Sequence, residues 1–208
     1  MTHLARSVGT QSRDVPVRLR GVDGLADVSI DLLEHDRRAA VGAAGRPLGG
    51  VWVLDALLTL PEQVSVPVDH VDPAILAQVT KSPHALAYPV SDAVCRVGRP
   101  AATARLVSIP TDNWRRGVQQ AHRLAPYCAR RIILATEPRR LGLMLLEASY
   151  WGIGVMIQDG RAEREVLAPA AFIPTRYTGA AWSFDEILYS QVCRERDLAR
   201  ERSYRAQR

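Results

Sequence analysis

Residues 132–157 read IILATEPRRLGLMLLEASYWGIGVMI, and this stretch decides the fold class. It contains an apolar run of β-forming residues at 132–136, a helical pattern over 141–150 and a second apolar run at 153–157. Gly152 is expected to end the helix as its C-terminal cap. A strand, a helix and a second strand in succession form a βαβ unit, so the two strands should be parallel with a right-handed crossover.

Strands on both sides of this unit extend it into a larger sheet. Residues 103–109 predict a strand, and residues 93–97 predict an earlier strand that a hairpin turn at 98–100 joins to it. After the βαβ unit, Asp159-Gly160 turns the chain into a further strand near 163–167. Parallel and antiparallel strands with helical connections predict an α/β fold with a mixed central sheet flanked by helices.

A helix after residue 110 is predicted from its cap and from its periodicity. Thr111 or Asp112 would supply the N-terminal cap. Apolar residues recur at helical spacing along one continuous stripe, which comprises Trp114, Val118, Ala121, Ala125 and Cys128. This stripe should pack on the sheet, with Cys128 as a small core residue. Trp114 and, after the next helix, Trp151 are expected to be core anchors.

The sequence divides the chain into four parts. They are a polar N-terminus, a region of strand and helix elaborations, the α/β core and a basic C-terminal helix, at residues 1–14, 15–90, 91–182 and 183–208. In the second part, residues 15–20 predict a short strand, residues 25–44 predict a helix, and Asp72 caps a further helix. Ser183 and Glu186 form a capping box that opens the C-terminal helix.

Composition limits the class of protein. The chain has 208 residues, of which 47% are hydrophobic and 24% are charged, as is typical of a globular protein. No stretch approaches the roughly 18 consecutive apolar residues of a membrane span, and residues 1–15 contain no apolar run of a signal peptide. We therefore expect a cytoplasmic protein that does not enter a membrane. The three cysteines are too far apart for a disulfide framework or a zinc motif.

The charge pattern favours an anionic partner. Lysine and arginine total 27, and Lys81 is the single lysine, so the chain is arginine-rich; its formal net charge is +5. No glycine-rich loop precedes Lys81, which excludes a phosphate-binding P-loop. Residues 194–208 contain six arginines against three acidic residues, so the end of the chain is basic.

The order of elements over residues 92–167 resembles the common core of the PD-(D/E)xK nuclease-like superfamily. Asp92 leads a strand, as the first acidic metal ligand of that family does, and residues 106–110 stand at the family's E-x-K strand. Three further segments resemble the following helix and the next two strands: residues 113–121, 131–138 and 152–155. The resemblance covers about 75 of the 208 residues and implies a restriction-endonuclease-like core.

The residues that carry catalysis in that family are missing here. The resemblance implies two acidic residues that hold a divalent metal and a lysine that helps to activate water. In this chain Ser108 stands at the position of the second acid, and Pro110 stands at that of the lysine. Asp92 and Asp112 are the residual candidates. We therefore assign no catalytic residue, no metal and no cofactor, and Mg²⁺ or Mn²⁺ would matter only if a displaced nuclease site used the two aspartates.

A nuclease-like scaffold without catalytic residues can still bind DNA, because fold and catalysis are separable. The candidate contacts lie on the polar side of the predicted helix and just after it: Arg115, Arg116, Gln119, Arg123, Arg130 and Arg131. Arginine guanidinium groups suit phosphate contacts, which carry most non-specific affinity. We predict a non-catalytic DNA-binding or scaffolding protein for double-stranded DNA. A solvated helix face with local ion pairs would explain the same residues.

Two other functions stay open from the sequence. One is a protein-interaction subunit that docks on a partner through the C-terminal helix, and the other is a metal-dependent nuclease with a displaced site. Trp182, in a predicted loop near Tyr177 and Gly179, is the aromatic residue that we expect to be exposed for a contact.

Overall fold

The computed structural model describes residues 10–19, 21–160 and 162–206, and the side chains within 14–18, 21–160 and 162–196. The strands are β1 (Thr10–Leu19), β2 (Val22–Asp31), β3 (Ser65–Pro67), β4 (Ala87–Val90), β5 (Ala93–Arg96), β6 (Ala102–Pro110), β7 (Ala129–Leu134), β8 (Gly154–Asp159) and β9 (Ala162–Leu167). The α-helices are α1 (Leu32–Ala40), α2 (Val51–Leu57), α3 (Pro73–Val79), α4 (Trp114–His122), α5 (Leu141–Tyr150) and α6 (Gly179–Ala206).

The described residues form two sheets and have an α/β fold, as predicted. The larger sheet has six strands in the order β1-β2-β6-β7-β8-β9, and the smaller has three in the order β3-β5-β4. Strands β6, β7 and β8 are parallel neighbours, whereas β9 is antiparallel to β8, so the larger sheet is mixed. No helix in the described part of the chain has the length and hydropathy that a bilayer crossing requires.

The βαβ unit at residues 132–157 is confirmed. Strands β7 and β8 are parallel, with Ile132 opposite Val155, and α5 connects them. Gly152 ends α5 in a left-handed conformation, with φ at +65°, which glycine adopts without steric cost. The chain moves in one direction from β6 through α4 to β7 and through α5 to β8, so right-handed crossovers place α4 and α5 on the same side of this sheet.

The chain divides into two compact units that alternate along the sequence, unlike the consecutive parts that the sequence suggested. The first unit comprises, among the described residues, 10–11, 29–103 and 176–206, and the second comprises 12–28 and 104–175. The larger sheet, apart from the ends of three strands, belongs to the second unit with α4 and α5. Residues 12–28 join 104–175 because β2 lies beside β6 in that sheet.

Residues 22–31 form β2, although the sequence predicted a helix over 25–44. Ala26, Val28 and Ile30 are buried, and the residues between them are only partly buried, which is the period of a strand. Neighbouring strands lie on both sides of β2, and this pairing outweighs the weak helical pattern of the segment. The predicted helix is therefore limited to α1, which starts where the Asp31 side chain accepts from the Glu34 amide (3.1 Å).

The predicted hairpin at residues 98–100 is wrong, because β5 and β6 belong to different sheets. Strand β5 pairs with β3 and β4, whereas β6 lies between β2 and β7. The Gly98 amide donates to the Leu86 carbonyl (2.8 Å), and the Arg99 guanidinium pairs with Asp31 (2.9 Å). These contacts lead the chain out of the smaller sheet instead of reversing it.

A buried ion network joins α1 to α6 inside the first unit. Arg38 is fully buried and donates to Glu34 (2.8 Å) and to both carboxylate oxygens of Glu186 (2.7 Å each). Glu186 also accepts from the Trp182 indole (3.0 Å) and from the Leu48 amide (3.1 Å). Burial alone would lower the pKa of Arg38, but the hydrogen bonds and charges of Glu186 and Glu34 outweigh burial and raise it.

The capping box predicted from Ser183 and Glu186 is wrong, because the C-terminal helix begins before them and Glu186 belongs to this ion network. Helix α6 begins at Gly179, where the Thr178 hydroxyl accepts from the Ala181 amide (3.2 Å). Ser183 and Glu186 therefore lie inside the helix. The carboxylate of Glu186 is used by Arg38 and Trp182 instead of by the helix terminus.

Gly179 lies directly against the backbone of α2, so we expect its replacement to be costly. A Cβ at this position would overlap the Val51 carbonyl oxygen and lie 2.5 Å from the Asp55 nitrogen, which belong to the backbone. Gly179→Ala should lower the free energy of unfolding by about 2–3 kcal/mol, because the helix must move away. Gly142→Ala, in α5, meets no atom within 4 Å. It should raise the free energy of unfolding by about 0.5–1 kcal/mol. Urea denaturation would compare the free energies of unfolding of the two variants. If Gly179→Ala is no less stable than Gly142→Ala, α6 moves away from α2 without cost and the prediction is wrong.

Candidate nucleic-acid interface

Helix α4 is fixed at its start by Asn113, not by Thr111 or Asp112 as predicted. The backbone of Asn113 is extended, and its side-chain oxygen accepts from the amides of Arg115 (3.1 Å) and Arg116 (3.3 Å). The Thr111 hydroxyl instead binds the backbone of Asn113. An asparagine cap satisfies the first amides of the helix and leaves the two arginine side chains projecting from its first turn.

The apolar stripe of α4 packs on the sheet as predicted. Trp114, Val118 and Ala121 are buried, and Cys128 beyond the helix is fully buried. Gly117 allows a close approach to β7, because a Cβ there would lie 3.0 Å from Ile132. This packing turns the opposite side of the helix to solvent.

The solvent side of α4 is basic. Three exposed side chains on this side and a fourth at the residue that caps the end of the helix form a surface that we call the α4 basic face: Arg115, Arg116, Gln119 and Arg123. The guanidinium of Arg115 lies over the Trp114 ring, 4.5 Å from its centroid. At the other end of the helix, the Gln120 side chain donates to the Gly21 carbonyl (2.8 Å) in the turn between β1 and β2. Helix α4 itself, residues 114–122, contains no acidic residue.

The last two predicted contacts, Arg130 and Arg131, are half-buried and lie inside the second unit. Arg130 donates to the Trp151 carbonyl, and burial of its guanidinium lowers its pKa. Arg131 donates to the Ser108 hydroxyl (2.7 Å) on the neighbouring strand. Both guanidinium groups therefore hold β7 to its surroundings, and we leave them out of the α4 basic face.

Ser108 occupies a buried place in β6, directly opposite Arg131 in the register of the sheet. This is the position that the nuclease resemblance compares with the second acidic metal ligand. A guanidinium 2.7 Å from the serine hydroxyl supplies positive charge at this point. Such an environment disfavours a divalent cation, because like charges repel.

Asp92 and Asp112 are both exposed, but they belong to different units. Asp92 lies in the turn between β4 and β5 of the smaller sheet, where its carbonyl accepts from the Val68 amide (2.8 Å). Asp112 precedes α4 in the second unit. Among the described residues, no group of three or more histidine, cysteine or acidic side chains is placed to hold a metal ion.

The structure reverses the expected exposure of two tryptophans. Trp182 is fully buried in α6, although the sequence predicted an exposed loop, because the helix begins before it and Glu186 accepts from its indole. Trp151 was expected in the core and is 41% exposed at the end of α5. Its ring packs edge to face against the rings of His122 and Tyr150, with centroid distances of 4.5 Å and 4.8 Å.

Sequence reasoning missed the outer side of α5. Leu143, Leu146 and Tyr150 are large apolar side chains on this helix, and all three are exposed. The signal was present in the sequence, because Leu141–Tyr150 contains apolar residues on every side of the helix and a single charged residue. A surface helix of a globular protein normally shows a polar face to solvent.

The fold and this surface define the chain as an α/β protein with a cationic helix on the outside of a mixed sheet. No protein-family model matches the chain, and comparisons with curated proteins and with solved structures found no significant match.

Proposed function

We propose that this chain binds the phosphate backbone of double-stranded DNA through the α4 basic face and does not cleave it. The observation that carries the proposal is the exposure of three arginines and a glutamine along one side of a helix without acidic residues. Arginine forks and amide groups on a rigid helix bind phosphate oxygens without reading the base sequence.

The distribution of charge supports the same surface. The sequence of the second unit contains 13 arginines against nine aspartates and glutamates, a formal charge of +4 out of the +5 of the whole chain. The positive charge is therefore concentrated in the unit that carries α4. Binding that depends on such charge releases counterions, so it should weaken steeply as salt increases.

Removing two arginines from the α4 basic face should weaken DNA binding. We expect Arg115→Ala combined with Arg116→Ala to reduce the affinity for a 20-base-pair duplex by roughly 10- to 100-fold at low salt. The slope of log K against log salt should fall by about two. Fluorescence anisotropy at 50 and 200 mM salt would measure both quantities.

The matched control removes the same charge elsewhere. Arg46 and Arg176 are exposed arginines of the first unit, and their double replacement by alanine should leave the affinity nearly unchanged. If both double variants weaken binding equally, net charge and not α4 is responsible. If the wild-type chain shows no binding at micromolar protein and low salt, the proposal is wrong.

The non-catalytic part of the proposal has its own test. The Arg131–Ser108 pair at the expected acidic position supports the absence of metal-dependent cleavage. We expect a DNA duplex to stay intact with the chain and Mn²⁺. Cleavage that Asp92→Asn or Asp112→Asn abolishes would instead support the nuclease alternative.

The protein-interaction alternative rests on the end of α6. The helix contributes buried residues to the first unit as far as Val192 and Cys193, whereas Arg194 and Glu195 are exposed. A partner would therefore contact α6 beyond Cys193. A truncation after Arg196 keeps the buried part of the helix, so loss of partner capture with unchanged DNA binding would favour this alternative.

A further inference from the structure

Helix α5 presents large apolar side chains to solvent along its outer side. Its inner residues Met144 and Ala148 are fully buried against the sheet. The outer residues, which we call the α5 apolar face, are Leu143 (46% exposed), Leu146 (70%), Tyr150 (79%) and Trp151 (41%). A contiguous patch of exposed apolar residues on a surface helix usually marks a site that binds another molecule.

Two arginines lie next to the α5 apolar face, at the start of the helix. Arg139 and Arg140 are exposed just before the helix, and Arg139 precedes Leu143 by four positions and Leu146 by seven. Both arginines therefore stand at the N-terminal end of α5, ahead of the leucines. One end of the stripe is therefore cationic, the middle is aliphatic, and the far end carries Tyr150 and Trp151.

The α5 apolar face of one copy is complementary to the same face of a second copy whose α5 runs in the opposite direction. The arginines and the aromatic residues stand at similar distances on either side of the two leucines. An antiparallel copy would place its arginines over Tyr150 and Trp151, and guanidinium groups bind aromatic faces. A parallel copy would bring four arginines together, and their like charges would repel.

We propose that a second copy of this chain covers the α5 apolar face, as an antiparallel pair of α5 helices around a two-fold axis near residue 145. A two-fold pair uses the same patch on both subunits, as this stripe allows. The four side chains form the centre of an interface smaller than the roughly 800 Å² per partner of a standard complex. We therefore expect a dimer with a dissociation constant in the micromolar range.

Sedimentation velocity between 1 and 200 µM protein tests the dimer. We expect the wild-type chain to shift from monomer to dimer over this range, and Leu146→Glu to raise the dissociation constant by roughly 100-fold or more, because it buries a charge at the centre. The matched control is Ile173→Glu, at an 82% exposed apolar residue outside the α5 apolar face, which should leave the dissociation constant unchanged.

Disulfide cross-linking tests the antiparallel arrangement. The native cysteines Cys95, Cys128 and Cys193 are buried, so an introduced surface cysteine reports its own neighbours. Leu146→Cys lies next to the proposed axis and should form a covalent dimer under mild oxidation. Tyr150→Cys lies five residues from the axis, which separates the two copies by about 15 Å, so it should not cross-link to itself.

Several results would overturn this inference, three of them on the dimer itself. They are a wild-type chain that stays monomeric at 200 µM, a dimer that Leu146→Glu does not weaken, and cross-linking through Tyr150→Cys in preference to Leu146→Cys. A monomer that binds lipid vesicles or an acidic peptide through the same face would also overturn it. The Arg115→Ala, Arg116→Ala variant should dimerise normally, so the dimer and the DNA proposal fail separately.

Discussion

Arg38→Met is expected to lower the free energy of unfolding by about 3–5 kcal/mol. Arg38 is fully buried, and its guanidinium binds two carboxylates, Glu34 and Glu186, which are themselves at most 2% exposed. Methionine matches the length of the side chain but removes the cation that pairs with the buried carboxylate of Glu186, whereas Glu34 keeps its ion pair with Arg37 (2.7 Å). Removing one partner of a buried ion pair costs more than the pair contributes, because the remaining charge stays out of water.

Urea denaturation followed by circular dichroism measures this effect. Arg46→Met replaces an exposed arginine of the same unit and should change the free energy of unfolding by less than about 0.5 kcal/mol. If Arg38→Met does not fold, a triple variant keeps the prediction testable. Arg38→Met with Glu34→Met and Glu186→Gln removes all three buried charges of the network, and the amide introduced at position 186 can still accept from the Trp182 indole. This variant should be more stable than Arg38→Met alone, and a further loss would contradict the explanation.

Trp182→Ala is expected to lower the free energy of unfolding by about 3–5 kcal/mol. Trp182 belongs to the core cluster of the first unit, which also includes Leu54, Leu57, Leu86 and Val94. Its indole donates to Glu186 (3.0 Å), and its ring lies 5.5 Å from the guanidinium of Arg96. Alanine would leave a cavity and remove the indole hydrogen bond. The buried carboxylate of Glu186 would then have one donor fewer.

The control for this prediction is the same substitution at an exposed tryptophan. Trp52 in α2 is 80% exposed, and Trp52→Ala should change the free energy of unfolding by less than about 0.5 kcal/mol. Thermal or urea unfolding would compare the two variants. A similar small effect at both positions would mean that Trp182 does not anchor α6.

The parts of the fold that could be predicted depend on residues close in sequence. The βαβ unit at 132–157 was correct because Gly152 and the two apolar runs set its turns and strands locally. The buried stripe of α4 was correct because helical spacing alone determines which side chains share a face. These features need no knowledge of distant neighbours.

The errors concern segments whose structure depends on distant residues. Residues 22–31 became a strand because β2 lies between β1 and β6, and β6 begins about 70 residues later in the sequence. The hairpin at 98–100 failed because Arg99 pairs with Asp31 and Gly98 with Leu86. No turn signal within those three residues could indicate such partners.

The candidate DNA-binding residues also divide into those that local sequence identifies and those that depend on distant residues. The sequence identified all four residues of the α4 basic face, since their positions follow from the helix and its buried stripe. It also included Arg130 and Arg131, which the structure shows to be half-buried and bound to the Trp151 carbonyl and the Ser108 hydroxyl. Their roles depend on which strand and which helix end lie beside β7.

By itself the sequence determined the α/β class, the βαβ unit and the polar side of α4, because each arises from periodicity within about 30 residues. Only the tertiary structure decided that Asp92 lies in a turn of the smaller sheet whereas Ser108 lies in the larger sheet, that Trp182 is buried and that the outer side of α5 is apolar and exposed. Burial and strand order depend on contacts between residues far apart in the chain; Arg38 and Glu186, for example, are 148 positions apart. Local pattern does not specify such contacts, because folding selects them by packing the whole unit at once.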